Sequence, residues 1–533
     1  MTAPAGVLVV QLHAHLPDVR SPGDWAEDWY FGAVFDAYLP LIEVAEGWLR
    51  DGIEARLGLS ISPPLLAMMS DLDLAARCAA RLAGLAALAA ERAKSGAEPR
   101  AAWRFFAELA ERRRHRYEQA HQRDLPAALR RLEAAGVFEL GTSSASHALL
   151  PFLAATDPDL VDAQIAAGMR RHARCFGRAP LAFWLPECAY APGLDVHLDR
   201  GGVGYFFADA HAVRGAALGT AAPLLTPAGP VVFPRDVDCA VRVWSPEHGY
   251  PTDPRYREFH KDAGRELGAD VLARADLPAD GRPLGIKLHR ITDRALGADR
   301  KAAYEPGEGQ RAAEEHADDL VEAVTERAIA FRAEVGRAAV IAAPYDAELF
   351  GHWWFEGPTF LDRLGRTLAR HPALRLWTGG DVLRAQPHLE VREPDATSWG
   401  RGGFASTWLT PKNHWVQDRV AEVSRRMLRA ARARAGAPDD PVADGWLDAM
   451  AAAAIEISAS DWPFLMTAGT FSDYAERVVE DAYRRFVELE RMYTERAPSP
   501  PPATPDVSWR LFLPGGGSGS GVGSNGLEAR GPA

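Results

Sequence analysis

Residues 6–17 read GVLVVQLHAHLP. Val7 to Val10 form an unbroken apolar, mostly β-branched run, as expected of a strand buried on both faces. The run ends in His13 and His15, two positions apart, so on a strand both side chains face the same way. An apolar strand that delivers polar side chains at its C-terminal end is the unit from which parallel α/β barrels build their sites.

The rest of the chain repeats this unit. Strands are expected at Arg56–Ser62, Val137–Leu140, the run into WLPECAY (184–190), Val203–Ala208, Ala339–Ala343 and Leu374–Thr378. Polar or aromatic motifs follow most of them. Residues 72–135 are rich in Ala, Leu and Arg, with Trp103, Phe106, Leu109 and Ala110 at helical spacing, and read as a helical insertion. A further helix is expected over about 160–176. From about 415 to 495 the pattern is helical throughout. SPPPATP and GGGSGSGVGSNG then offer little to bury. The expected organisation is an α/β catalytic domain over 1–390, a helical domain over 391–496, and a structureless tail over 497–533.

Bulk properties narrow the function. A net charge of −12 argues against a nucleic-acid surface and favours an uncharged partner. Cys78, Cys175, Cys188 and Cys239 make no C-x-x-C pair, so neither a zinc knuckle nor a disulfide framework is expected, and reduced thiols fit a cytoplasm. MTAPAGVLVV has no basic leader segment and reads as the approach to a first strand, not a signal peptide. No apolar run is long enough for a membrane span.

Several groups carry chemistry. His13 and His15 read either as hydrogen-bond donors to a ligand or as metal ligands, with His147, Asp209 and His211 as further candidates. Glu187 and Asp346 both follow strands. Two carboxyls in one site can divide the work of an acid and a nucleophile, as glycoside chemistry requires. Glu348 and Glu356 compete for the second role. Trp184, Trp353 and Trp354 offer flat apolar faces suited to sugar rings. Trp399, Trp408 and Trp415 lie in or beside a loop with Gly400, Gly402 and Gly403, a candidate oligosaccharide ledge. Asp461, on spacing alone, reads as a helix cap.

Taken in order, HAHLP (13–17), ELGTSSASHALLP (139–151), WLPECAY (184–190), PYDAELFGHWWFEGP (344–358) and SDWPF (460–464) resemble the motifs of glycoside hydrolase family 57. RDVDCAVRVWSPEHGYPTDPRYREFHKDAG (235–264) and TSWGRGGF (397–404) resemble its 1,4-α-glucan branching enzymes. The resemblance spans about residues 1–490. It implies a (β/α)7 barrel with a helical insertion, a C-terminal helical domain, and retention through a glycosyl-enzyme intermediate with no metal or other cofactor. By motif, Glu187 resembles the nucleophile and Asp346 the general acid/base. His13, His15, His147 and Asp461 resemble residues that hold the sugar. Trp244, Trp399 and Trp408 resemble aromatic ledges. The implied partner is an α-1,4-glucan such as amylose or a glycogen-like polymer.

Two departures stand out. HLPDVR (15–20) carries Asp18 where the branching subgroup has an aromatic. HAVRGAALGTAAPLLTPAGP (211–230) has no tyrosine, whereas the subgroup's loop closes one over the site. A lid that excludes water favours transfer over hydrolysis. A retaining α-glucan hydrolase using the same carboxyl pair is therefore the alternative.

Overall fold

The computed structural model describes residues 4–385, 388–502 and 504–516. Among the described residues ten strands occur in chain order: β1 (Gly6–Ala14), β2 (Leu57–Ile61), β3 (Phe138–Ser143), β4 (Ala182–Trp184), β5 (Tyr205–Ala208), β6 (Leu224–Leu225), β7 (Val231–Pro234), β8 (Ala339–Asp346), β9 (Leu374–Trp377) and β10 (Glu390–Val391). The described chain forms two compact units built from separated segments. One draws on the described residues within Met1–Leu140, Leu218–Ala222 and Arg235–His388; the other on those within Gly141–Ala217, Pro223–Pro234 and Leu389–Ala533.

In the first unit β1 pairs in parallel with β2, β8 and β9. All nine β1 residues are buried, as the apolar run predicts. The register sets His13 opposite Asp346 and opposite Ser60. The strand runs on through Ala14, so His13 lies inside β1 and His15 just beyond it. The insertion is helical as expected, with helices Leu72–Lys94, Arg100–His115 and Leu125–Ala134. Asp71 and Asp124 cap the first and third of these by accepting from backbone N–H groups.

In the second unit β3 pairs with β4, β4 with β5, and β5 with β7, all in parallel. β6 pairs antiparallel with β7 and parallel with β10. The C-terminal helices His414–Arg434, Pro441–Glu456, Asp461–Ala468 and Ser472–Thr494 belong to this unit. Parallel strands alternating with helices, followed by a helical C-terminal region, meet the expected α/β class with its (β/α)7 scheme. The compact units, however, do not follow one cut at residue 390. Residues 141–217 are tied to the C-terminal helices: Gln164 Nε2 donates to Ser458 Oγ at 2.9 Å, and Arg432 bridges Asp157 and Asp159 at 2.9 and 2.8 Å.

The segment from 497 also departs from expectation in part. Residues 517–533 lie outside the described residues. Before them, Trp509–Phe512 forms a 3-10 turn that buries Trp509, Leu511 and Phe512. Trp509 N–H donates to Asp448 at 2.8 Å, and Asp506 meets Arg174 at 2.6 Å and Arg171 at 3.2 Å. Three large apolar side chains after a proline run were enough to anchor what composition alone read as structureless. Each fully buried side chain of this size contributes about 1.5–3 kcal/mol. A chain ending at residue 503 should lose about 5 kcal/mol of stability and melt on the order of 10 °C lower in calorimetry. An unchanged melting temperature would contradict a structural role for this segment.

No helix among the described residues is long and apolar enough to cross a membrane.

Candidate functional site

In the second unit the chain leaves β4 at Trp184 and turns at once through Pro186–Cys188. Glu187 sits there in the left-handed region, at φ 61° and ψ 21°, and Cys188 follows at φ 49°. His147, after β3, is also left-handed at φ 59°. Non-glycine residues held this way cost of order 1–3 kcal/mol each and concentrate where a side chain must be aimed.

What holds Glu187 is well defined. Its Oε2 accepts from Trp399 Nε1–H at 2.8 Å. Its Oε1 accepts from Ser460 Oγ–H at 3.0 Å. Ser460 Oγ lies 2.9 Å from His147 Nδ1, which itself is 3.8 Å from Glu187 Oε1. The hydroxyl has one proton, given to Glu187, so His147 Nδ1–H donates to Ser460; this assigns the tautomer from the network. Backbone staples fix both partners. Trp399 N–H donates to the Glu187 carbonyl at 2.9 Å, Thr397 and Tyr190 exchange N–H···O bonds at 2.9 and 3.0 Å, and Ser460 N–H donates to the His147 carbonyl at 3.2 Å. A half-buried carboxylate with both oxygens engaged is aimed, not merely placed.

The same unit places the other expected residues. Trp399 is half-buried and meets the Trp184 ring edge-on, with centroids 5.1 Å apart. Asp461 is the first residue of helix Asp461–Ala468; Ser460 precedes it at the cap position, so Asp461 is not the cap that spacing suggested. Trp408 departs from the ledge expectation. It is 1% exposed, in a cluster with Leu149 and Ala189, and Gly400 lets it pack so closely that a Cβ there would meet its ring at 2.5 Å. His211 turns to the Gly403 carbonyl at 2.6 Å and to Asp209 at 3.3 Å.

In the first unit, His13 is buried and its ring stacks on that of half-buried His15, with centroids 5.8 Å apart. Burial, reinforced by the neighbouring His15, holds the His13 pKa well below the ordinary imidazole value, so His13 is neutral at pH 7. His15 Nδ1 lies 2.8 Å from Ser62 Oγ. Half-buried Asp346 ends β8 beside His13. Trp244 and Trp353 are 40% and 44% exposed and meet edge to face at 5.8 Å, an accessible aromatic corner of the kind expected of a ledge. Asp18 pairs with Arg20 at the surface. Glu139, which opens the ELGTSSASHALLP motif, accepts from Thr378 Oγ1 and from Gly380 N–H at 3.2 Å, where helix Gly379–Arg384 begins.

Glu348 is the residue sequence reasoning undervalued in this unit. It is buried, and its Oε1 accepts from Tyr38 O–H at 2.5 Å and from the His15 N–H at 3.1 Å. Burial raises its pKa to about 7. A folded pKa above the unfolded one contributes stability that is complete below about 4.5 and is lost as pH rises through about 7. Glu348→Gln should therefore flatten the pH dependence of the melting temperature between pH 4.5 and 8. A variant with the parent's slope would contradict this.

Ser460 was missed as well. Its motif was seen, but Asp461 drew the reading. Trp399→Phe and Ser460→Ala each delete one donor to Glu187. A hydrogen bond to a charged group contributes roughly 1.5–3 kcal/mol, so if Glu187 reacts as the resemblance implies, each should lower kcat about tenfold or more with the fold intact by circular dichroism. A kcat equal to the parent's would mean that the deleted bond does not position Glu187.

Comparison with known proteins places the chain in a family. Residues 9–263 match glycosyl hydrolase family 57, and residues 419–501 match the C-terminal region of 1,4-alpha-glucan branching enzymes. The chain is 30% identical over 526 residues to the 1,4-alpha-glucan branching enzyme of Thermococcus kodakarensis, covering 91% of this chain and 74% of that protein. The chain belongs to glycosyl hydrolase family 57. The crystal structure of that Thermococcus family 57 branching enzyme, in complex with glucose and additives, superposes with a TM-score of 0.83 at 28% identity, covering 93% of this chain and 92% of the other. The alpha-amylase AmyC of Thermotoga maritima superposes with a TM-score of 0.85 at 32% identity, covering 93% and 94%. A probable 1,4-alpha-glucan branching enzyme of Mycobacterium tuberculosis is 29% identical over 499 residues, covering 88% of this chain and 89% of its own length. As a family 57 member the chain is an enzyme of the glycoside hydrolase and transferase class.

Proposed function

We propose that the protein is a 1,4-α-glucan branching enzyme. It cleaves an α-1,4 link with retention and passes the released segment to a 6-hydroxyl of an amylose or glycogen-like acceptor, in glycogen synthesis within the cytoplasm. The observation that carries the reading is the match of residues 419–501 to the branching-enzyme C-terminal region, on a chain whose earlier residues match the family 57 catalytic region. Glu187 is the nucleophile, aimed by Trp399 and Ser460, and attacks the anomeric carbon. Asp346 first protonates the departing glycosidic oxygen and then, as base, activates the incoming 6-hydroxyl. His13, His15, His147 and Asp461 hold the sugar; Trp244, Trp353 and Trp399 offer it aromatic faces. The catalytic part is 1–390 and the helical part 391–496. No step requires a metal or other cofactor.

A second reading, a retaining α-glucan hydrolase on the same pair, is favoured by two observations. The Thermotoga relative is an alpha-amylase, and the 211–230 loop lacks tyrosine. Isoamylase distinguishes the two readings. After incubation of linear amylose with the protein, it should release short chains. Release of nothing new would favour the hydrolase.

A further inference from the structure

Helix Glu27–Ala33 does not run smoothly into helix Leu39–Asp51. Between them Val34–Tyr38 is wound as a π-turn, with all five residues buried. Pro40 gives a local reason. It has no N–H for the Asp36 carbonyl four residues back, and its ring crowds that carbonyl, so regular α-winding is interrupted there. Turns of this kind are rare and are frequent at functional sites.

The π-turn packs against the segment that follows Asp346. A Cβ on Gly351 would lie 1.7 Å from the Asp36 carbonyl oxygen, and Gly351 has φ 121°, so only glycine lets the two backbones meet. Two residues after Asp36, Tyr38 O–H donates to Glu348 Oε1 at 2.5 Å. Glu348 lies in the 3-10 turn Ala347–Leu349, which Asp346 flanks on its N-terminal side.

Glu348 is a hub of this region. Its Oε1 also accepts from His15 N–H at 3.1 Å. Its carbonyl accepts from the His352 and Trp353 N–H groups, both at 3.1 Å. One residue thus ties the exits of β1 and β8 together and holds the turn that carries Trp353. Tyr38 and Glu348 are 4% and 3% exposed, so neither can meet a glucan. Packing alone would be served by phenylalanine at position 38. The hydroxyl is needed because the buried Glu348 carboxyl requires a donor.

We propose that Tyr38 is a positioning residue for the reaction: through Glu348 it fixes the turn that follows Asp346 and so aims the Asp346 carboxyl at the glycosidic oxygen. The inference rests on Asp346 being the acid of the α-glucan reading above. Tyr38→Phe keeps the ring and deletes only the hydroxyl. It should lower kcat on amylose about tenfold, with KM unchanged. Formation of the glycosyl-enzyme from an aryl maltooligoside with an acidic phenol needs no proton, and should stay within about twofold of the parent. In an Asp346→Asn background, Tyr38→Phe should cost nothing further. Glu348→Gln, a second variant of the same contact, should show the same dependence on the leaving group. Equal losses on both substrates, an undiminished loss in the Asp346→Asn background, or an unchanged kcat on amylose would overturn the positioning role and leave the α-glucan reading standing. An Asp346→Asn enzyme whose own losses ignore the leaving group would overturn the acid assignment, and this inference with it.

Discussion

Glu187→Gln should abolish turnover, with a loss on the order of 10⁴–10⁶-fold, the scale seen when a catalytic nucleophile is removed. The substitution keeps the shape of the side chain and removes the nucleophile. It also disturbs the site. Ser460 and Trp399 both present donors to Glu187, and an amide accepts through one atom only, so one donor then faces an NH₂ group. The measurement is the initial rate of iodine-stain loss on amylose, with melting temperature as the control for folding. A variant that kept more than a tenth of the parent's rate would remove Glu187 from the mechanism.

Asp346→Asn should lower turnover of α-glucan by about 10²–10⁴-fold, the usual worth of a positioned acid or base. Asp346 ends β8 at half burial, set by register beside neutral His13. The diagnostic is how the loss depends on the leaving group. A glucosidic oxygen needs a proton to depart, whereas an acidic phenol does not. Formation of the glycosyl-enzyme from an aryl maltooligoside with an acidic phenol should fall far less than cleavage of amylose. Equal losses on both substrates would mean that Asp346 is not the acid.

Much of the fold was legible because parallel strands are buried on both faces and so read as apolar runs. β1, β2, β5 and β8 were placed within a few residues, though β8 runs on to Asp346 and β1 carries His13 within it. β7 escaped. VVFP is four residues long, ends in proline and follows the turn-like PAGP, so local signals favoured a loop. What selects it is pairing with β5, a contact made by the fold. Trp408 failed for a related reason. Glycines around an aromatic can mean an exposed loop or a backbone that must come close, and Gly400 is the second kind.

The candidate site was legible as motifs and opaque as geometry. Glu187 could be singled out because a carboxylate between Pro186 and Cys188 has no local reason to be there. Its partners could not. Trp399 lies 212 residues away and Ser460 273. Three carboxylates within eleven residues, Asp346, Glu348 and Glu356, looked interchangeable in sequence. Folding separates them: Asp346 ends a strand at half burial, Glu348 is locked to Tyr38 and His15, and Glu356 is locked to Tyr304 and Arg257.

The central claim is that the glycosyl-enzyme is given to a sugar rather than to water. Proton NMR of linear amylose incubated with the purified protein counts new α-1,6 linkages, and a reducing-end assay on the same sample counts hydrolytic events. The account predicts new α-1,6 signal in clear excess over new reducing ends. Reducing ends without α-1,6 signal would contradict it.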